Sequence, residues 1–372
     1  MKRREFLTTA AVAAAATTTA CSSRDGATTG AGVAAGAAGA RQTEFRWKLV
    51  TTWPPNFPGL GTGASLFAET IEKCSAGRIK IKVYGANELV PAFEVFDAVS
   101  RGTAEMGHGA AYYWKGKAEA ASFFTAVPFG FTATEMNGWL YFGGGLELWR
   151  EVYKPFGILP APCGNSGGQT GGWFNKEIKS VADLRGLKMR IPGLGGEVLA
   201  RAGGTPVALP GSEIFTTLAS GGIDAAEWIG PYNDLAFGLY KAARYYYYPG
   251  WQEPGSTLEC IINQQAFDSL PEDLQQIVLT CCKALNDVLL AEMTARSGEA
   301  LVQLVDVHKV QLRAFPPEVL KLLRDLSNQI VDEKAAADPV FRKVLDSFRS
   351  FERSVAGWTR ISDEAYLTTR TL

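Results

Sequence analysis

An α/β fold of two domains with a helical carboxyl-terminal region is predicted by three observations. Strand-like and helix-like segments alternate from Phe45 to Ala110 and again through the second half, an order that lays helices on the faces of sheets. From Pro271 onward the pattern turns helical and charged. The ordered part, from about residue 44 to Leu372, is long enough for two hydrophobic cores.

The chain opens with Lys2-Arg3-Arg4-Glu5-Phe6-Leu7 and an Ala/Thr/Val run through Ala20, too short and too weakly apolar to span a bilayer. The arginine pair before Phe-Leu reads as a twin-arginine export signal over residues 1–21. Cys21 is a candidate lipidation cysteine, although Thr18 stands where leucine is usual. Residues 22–43 are mostly Gly, Ala, Thr and Ser, and cannot bury enough surface to offset their ordering entropy, so they read as a disordered tether.

The apolar run Phe45 to Thr51 predicts a strand, Trp53-Pro54-Pro55 a turn, and Gly63 to Ser75 a helix. Ile79, Ile81 and Val83 alternate with lysines, as in a strand with one exposed face. Val90 to Arg101 reads as a helix stopped by Gly102, and Ala104 to Ala110 continues the alternation. Leu187, Met189 and Ile191 share one side of a strand that Pro192-Gly193 ends, which places Arg190 at a strand's carboxyl end.

Pro210-Gly211-Ser212-Glu213 starts a helix, with Ser212 as its expected cap, and Gly221-Gly222 stops it before a strand over Ile223 to Ile229. Gly171 to Phe174 looks like a strand, and Tyr245-Tyr246-Tyr247-Tyr248 like a half-buried one. Pro271 to Glu299 and Pro316 to Trp358 read as helices, separated by a strand-like Lys309 to Phe315.

The formal charge is −1, and without residues 1–20 the count is 34 basic against 37 acidic residues, or about −3; nothing here suggests nucleic acid. Cys74, Cys163 and Cys260 show no paired spacing and Cys281-Cys282 are neighbours in a helix, so no disulfide framework and no CxxC metal or redox site is expected.

Two residues carry most of the chemistry. A guanidinium at the end of a strand grips a small carboxylate through two parallel hydrogen bonds, which lysine does not reproduce. Spacing alone still favours a surface or structural role for Arg190. Glu227, directly before Trp228 at a strand end, needs a cation or an arginine if it is buried, and serves equally well as a solvent-facing carboxylate.

The order KMRIPG, then a Pro-Gly-Ser-Glu helix start, then GGIDAAEW, resembles the solute receptors of tripartite ATP-independent periplasmic (TRAP) uptake systems. KVYGANELVP and RGTAEMGHGAAYYW extend the likeness over nearly all the chain after the tether. Within that family the sequence is most similar to the branch that binds 2-oxo acids or lactate with a metal cation. The resemblance implies a two-domain periplasmic-binding-protein-like fold with central mixed sheets and hinge segments. Domain I is expected over 44–165 and 249–315, domain II over 166–248, and carboxyl-terminal helices that permit homodimerisation over 316–372.

The resemblance also implies a site. Arg190 would salt-bridge the substrate carboxylate, while Gln169, Glu227 and Glu253 give side-chain oxygens, and Trp228 a main-chain oxygen, to the cation. Gln169 lies in Gly-Gly-Gln-Thr-Gly-Gly-Trp and Glu253 in Pro-Gly-Trp-Gln-Glu-Pro. Gln169 would also meet the substrate, with Tyr112, Tyr113, Tyr232 and Asn233 as pocket wall and hydrogen-bond donors.

The set offers hard oxygens without sulfur or imidazole, which excludes a transition-metal preference. Counting charges with a monocarboxylate favours Ca²⁺, whereas the nearest 2-oxo acid binders of the family favour Na⁺, the ion preferred here. The expected partners are the acid and a membrane permease, in the periplasm.

Lactate or another 2-hydroxy acid with calcium is the alternative cargo. An exported serine hydrolase is the other reading, because Gly164-Asn165-Ser166-Gly167-Gly168 fits GxSxG, and His108 and His308 offer bases. No helix pattern follows Ser166, so no catalytic activity is expected.

Overall fold

Eleven strands form two mixed sheets in a computed structural model that describes residues 43–370. The expected export signal, Cys21 and all but the last residue of the tether lie outside the described residues. In chain order the strands are β1 (Phe45–Thr51), β2 (Ile79–Tyr84), β3 (Met106–Gly109), β4 (Ile158–Asn165), β5 (Gly172–Phe174), β6 (Lys188–Arg190), β7 (Thr205–Val207), β8 (Ala225–Ala226), β9 (Tyr245–Tyr248), β10 (Thr257–Asn263) and β11 (Gln311–Ala314).

The first sheet has the order β2-β1-β3-β10-β4 and the second β11-β9-β5-β8-β6-β7. Each contains one reversed strand: β10 runs antiparallel to β3 and β4, and β5 antiparallel to β8 and β9. The remaining pairs are parallel. The βα alternation read in the sequence accounts for the parallel pairs; the reversed strands β5 and β10 each follow directly on a crossing between sheets, whereas β11, entered on a third crossing, runs parallel to β9.

Alternating residues of one strand feed cores on opposite faces. Trp47 and Leu49 of β1 pack with Phe67 and Ile71 of the helix Leu60–Cys74 and with Val278 and Leu285 of the helix Glu272–Val302. Val50 turns the other way, to Val95, Phe96 and Val99 of the short helix Val95–Ser100. In β9, Tyr246 and Tyr247 are both buried and enter different cores, so this strand is more enclosed than its sequence implied. No helix of the described residues is long and apolar enough to cross a membrane.

Three local expectations change. The helix Gly211–Ala219 is capped by Pro210 in extended conformation and lacks a side-chain cap bond, so Ser212 sits inside the first turn. The strand expected over Ile223 to Ile229 contracts to Ala225–Ala226, because the chain turns at Trp228 toward the helix Pro231–Phe237. Of the span 249–315 expected with the first domain, β10 joins the first sheet but β11 pairs in parallel with β9 of the second.

The chain passes from the first sheet to the second through residues 166–171 and returns through 249–256. These segments bond to each other: Ser166 N donates to Ser256 O at 2.9 Å, Gly250 N to Gln169 O at 3.1 Å and Gln169 N to Glu253 O at 3.2 Å. Glycine is required at position 250, where a Cβ would stand 2.3 Å from Gln169 O. The two crossings therefore lie side by side, each carrying one of the expected cation ligands.

Candidate functional site

Arg190 closes β6, held on one side by Val207 of β7 and on the other by Ala226 of β8. Its side chain is 1% exposed. Nε donates to Leu209 O at 3.2 Å, Nη1 donates to Glu227 O at 3.0 Å and to Glu227 Oε1, and Nη2 reaches the Tyr113 hydroxyl at 3.4 Å. The guanidinium also lies 5.3 Å from the Trp228 ring centre. Its Nη2 end is the least engaged, which leaves donors for a carboxylate entering beside Tyr113.

Glu227 follows β8 directly and donates its backbone N–H to Arg190 O at 3.1 Å. It is fully buried, as its place before Trp228 made costly, and the arginine assigned to the substrate is its partner. Oε1 faces Arg190, while Oε2 is buried without a hydrogen-bond partner.

Glu253 is 3% exposed. Its Oε2 accepts from Ser256 Oγ at 2.6 Å and Gln169 Nε2 at 2.8 Å, and the nearby Tyr112 hydroxyl favours its charged form. Gln169 Nε2 touches Ser166 Oγ at 3.1 Å, and its Oε1 is buried without a partner.

Burial dominates the electrostatics. Desolvation pushes the Glu253 carboxyl up to about 7 against Ser256, Arg190, Tyr112 and Gln169, which favour its charged form. It also pushes Glu227 well above the ordinary carboxylate range, with Arg190 opposing. Burial works against the Arg190 charge too, but Glu227 and the two tyrosines hold its pKa above the usual value.

With both glutamates ionised, two carboxylates would face one guanidinium, and that uncompensated negative charge is what burial opposes. Two oxygens, Glu227 Oε2 and Gln169 Oε1, lack any partner. This set of hard oxygens fits a cation of the Na⁺ or Ca²⁺ type.

A pH dependence follows. If Glu253 holds a cation it must be ionised to do so, and with its pKa raised to about 7 cation affinity is expected to fall as pH drops below 7, more steeply if the raised Glu227 carboxyl must also ionise. The ligand-free protein has the opposite sign, because a raised carboxyl pKa stabilises the fold at low pH and loses that contribution as pH rises from 4.5 through about 7. Melting temperatures across pH 5–8, with and without calcium, check both slopes.

Trp53 borders the cluster. Its ring meets Trp228 edge-on at 6.2 Å and Tyr113 at 6.3 Å, and its Nε1 donates to His108 Nδ1 at 2.7 Å. His108 Nε2 pairs with Cys163 O at 2.8 Å, and burial lowers its pKa to about 4, so it is neutral and committed to orienting Trp53. A cavity of about 330 Å³ lined by Tyr112, Tyr113, Ile191, Pro192 and Val207 adjoins the site. A larger one, about 540 Å³, lies among Phe129, Trp251, Arg324 and Arg349; neither cavity is lined by Arg190, Glu227 or Glu253, and only the smaller one touches the cluster, through Tyr112 and Tyr113.

The structure brings together Arg190, Glu227, Trp228, Glu253, Gln169, Tyr112 and Tyr113. It places Tyr232 apart, with its hydroxyl on Glu292 Oε1 at 2.9 Å, and ties Asn233 Nδ2 to Pro58 O at 2.8 Å, leaving Asn233 Oδ1 buried and unpaired. Neighbours on a helix point about 100° apart, and Tyr232 turns toward the helix Glu272–Val302. Sequence reasoning missed Ser256, whose only signal is its position three residues after Glu253.

Ser166 donates to Gly167 O and accepts from Gln169, and no histidine among the described residues bonds it. His308 stacks on Tyr240 at 3.9 Å. Cys163, Cys260 and Cys282 converge with sulfur atoms within 4.8 Å, although they come from β4, β10 and a helix and share no sequence spacing. They sit inside the first sheet's apolar core, where thiols pack as small apolar groups.

Comparison with known proteins places these features among relatives. The family described as bacterial extracellular solute-binding protein, family 7, matches residues 49–338. The monocarboxylate 2-oxoacid-binding periplasmic protein of Nostoc sp. is 43% identical over 321 residues, 86% of this chain and 88% of that protein.

A TRAP periplasmic solute-binding protein of Colwellia psychrerythraea, solved with calcium and pyruvate, is 44% identical with a TM-score of 0.86, covering 88% of this chain and 100% of the other. One from Pseudoalteromonas atlantica, solved with sodium and pyruvate, is 45% identical with a TM-score of 0.86, covering 88% and 99%.

Proposed function

The chain belongs to family 7 of the bacterial extracellular solute-binding proteins, the TRAP-type receptors, and from that premise we propose that it captures a small 2-oxo monocarboxylate such as pyruvate together with a metal cation. The carrying observation is the buried Arg190 beside Glu227 and Glu253, with Glu227 Oε2 and Gln169 Oε1 unpaired.

Arg190 takes the carboxylate of the acid through its Nη edge. Glu227, Glu253, Gln169 and the Trp228 main-chain oxygen hold the cation, and Tyr112 and Tyr113 wall the acid. The cation supplies positive charge that neutralises the glutamates and attracts the acid's 2-oxo and carboxylate oxygens. Sodium is the ion preferred here; calcium would make the whole assembly neutral, and relatives have been solved with each.

The acid leaves unchanged. The half built on the first sheet and the half built on the second close over it about residues 166–171 and 249–256, removing the charges from water and strengthening their attraction. A membrane permease then receives the acid. Export by the twin-arginine signal, with Cys21 as an optional lipid anchor, places the receptor in the periplasm. The exposed apolar residues Trp358, Ile361 and Tyr366 at the carboxyl end suit a homodimer contact.

Thermal unfolding tests the reading. Pyruvate at a hundred times its dissociation constant, with sodium or calcium present, should add about 2.7 kcal/mol of stability. No shift with any 2-oxo acid would overturn the proposal. A response to lactate with calcium alone would replace pyruvate and sodium by the 2-hydroxy acid reading.

A further inference from the structure

Asp234, which no sequence pattern singled out, is fully buried in the helix Pro231–Phe237. Its carboxylate accepts three donors. Oδ2 takes Tyr246 OH at 2.8 Å and Trp173 Nε1 at 2.9 Å, and Oδ1 takes the backbone N–H of Ile229 at 3.3 Å. Trp173 and Tyr246 stack at 4.1 Å on the paired strands β5 and β9. The acid is therefore fixed to the rigid centre of the second sheet before it touches Ile229.

The Ile229 N–H belongs to the same peptide plane as the Trp228 carbonyl. In a trans peptide these two groups point in opposite directions and cannot rotate independently. Holding the N–H on a buried carboxylate sets the direction of the Trp228 oxygen, and the negative charge behind the N–H increases electron density on that oxygen. On the other side, Ile229 O accepts from Thr170 N at 3.0 Å, next to Gln169. Both faces of Ile229 are held, so the corner from Glu227 to Gly230 is clamped between the sheet and the first crossing segment.

We propose that Asp234 is a positioning residue for the cation: it fixes and polarises the Trp228–Ile229 peptide so that the Trp228 oxygen is ready for the ion, without touching the ion itself. This rests on the cation site proposed above. Groups one bond removed from metal ligands commonly change metal affinity 10–100-fold when replaced.

The test compares two variants with the wild type. Asp234→Asn keeps the volume but provides one accepting oxygen for three donors; Trp173→Phe removes one donor and leaves the Asp234–Ile229 bond. Both lower the melting temperature. Calorimetric titration of chelator-treated protein with Ca²⁺ alone, and with Na⁺ alone, is expected to show a 10–100-fold loss of cation affinity in Asp234→Asn and less than about threefold in Trp173→Phe.

Pyruvate affinity of Asp234→Asn should return to near the wild-type value once the cation is saturating. Equal cation affinity in Asp234→Asn and wild type, or equal losses in both variants, would overturn the proposal. If Asp234→Asn does not fold, amide exchange of the wild type decides: Ile229 should be protected without cation, and free exchange there overturns the clamp. A folded wild type that binds neither cation overturns the site itself, an outcome distinct from either variant result.

Discussion

Arg190→Lys is expected to lower pyruvate affinity by two to three orders of magnitude while the protein still folds. Each charge-assisted hydrogen bond contributes about 1.5–3 kcal/mol, and tenfold in affinity corresponds to about 1.4 kcal/mol. Lysine keeps the positive charge beside Glu227 but loses the planar fork, the Nε bond to Leu209 O and the contact with Tyr113. Arg190→Ala differs in kind. It leaves Glu227 buried and uncompensated, which costs about 3–5 kcal/mol of stability. Calorimetry for affinity and circular dichroism melts for stability separate the two effects, and wild-type pyruvate affinity in the lysine variant would assign Arg190 a purely structural role.

The second large effect is expected at Glu227. Glu227→Gln preserves the shape, still offers Arg190 an accepting oxygen, and removes one of the two glutamate charges of the proposed cation site. Cation affinity should fall at least a hundredfold, beyond what outer partners contribute. The acid then meets an Arg190 with no competing carboxylate, so its binding should become indifferent to sodium and calcium while remaining measurable. Titrating the variant with pyruvate at zero and saturating cation checks this, and a wild-type ratio of the two affinities would remove Glu227 from the cation site.

The sequence and its family resemblance singled out the residues of the proposed site but not their pairing. Arg190 was readable at a strand end because Pro192-Gly193 punctuates β6, and Glu227 stood out as a charge in an apolar segment. That these two bond each other depends on β6 and β8 being neighbours, a register that spacing does not carry. Gln169 and Glu253 are 84 residues apart and meet only because both crossings between sheets run side by side.

Tyr232 lies with its hydroxyl on Glu292, a placement outside the reach of sequence, since a motif position does not say which way a side chain leaves a helix. The same limit hid Asp234 and the three converging cysteines, whose meanings lie wholly in contacts distant along the chain. The reversal of β5 and β10 was equally invisible in periodicity, because a strand buried on both faces has the same pattern in either direction.

The most direct measurement is the coupling between cation and acid in the wild-type protein. Chelator-treated, ligand-free receptor is titrated with pyruvate at zero and saturating sodium, then calcium, and with each cation at zero and saturating pyruvate. If both occupy one buried cluster, the cation raises pyruvate affinity and pyruvate raises cation affinity by the same factor, as binding linkage requires. Pyruvate affinity unchanged by either cation would contradict a shared site built on Arg190, Glu227 and Glu253.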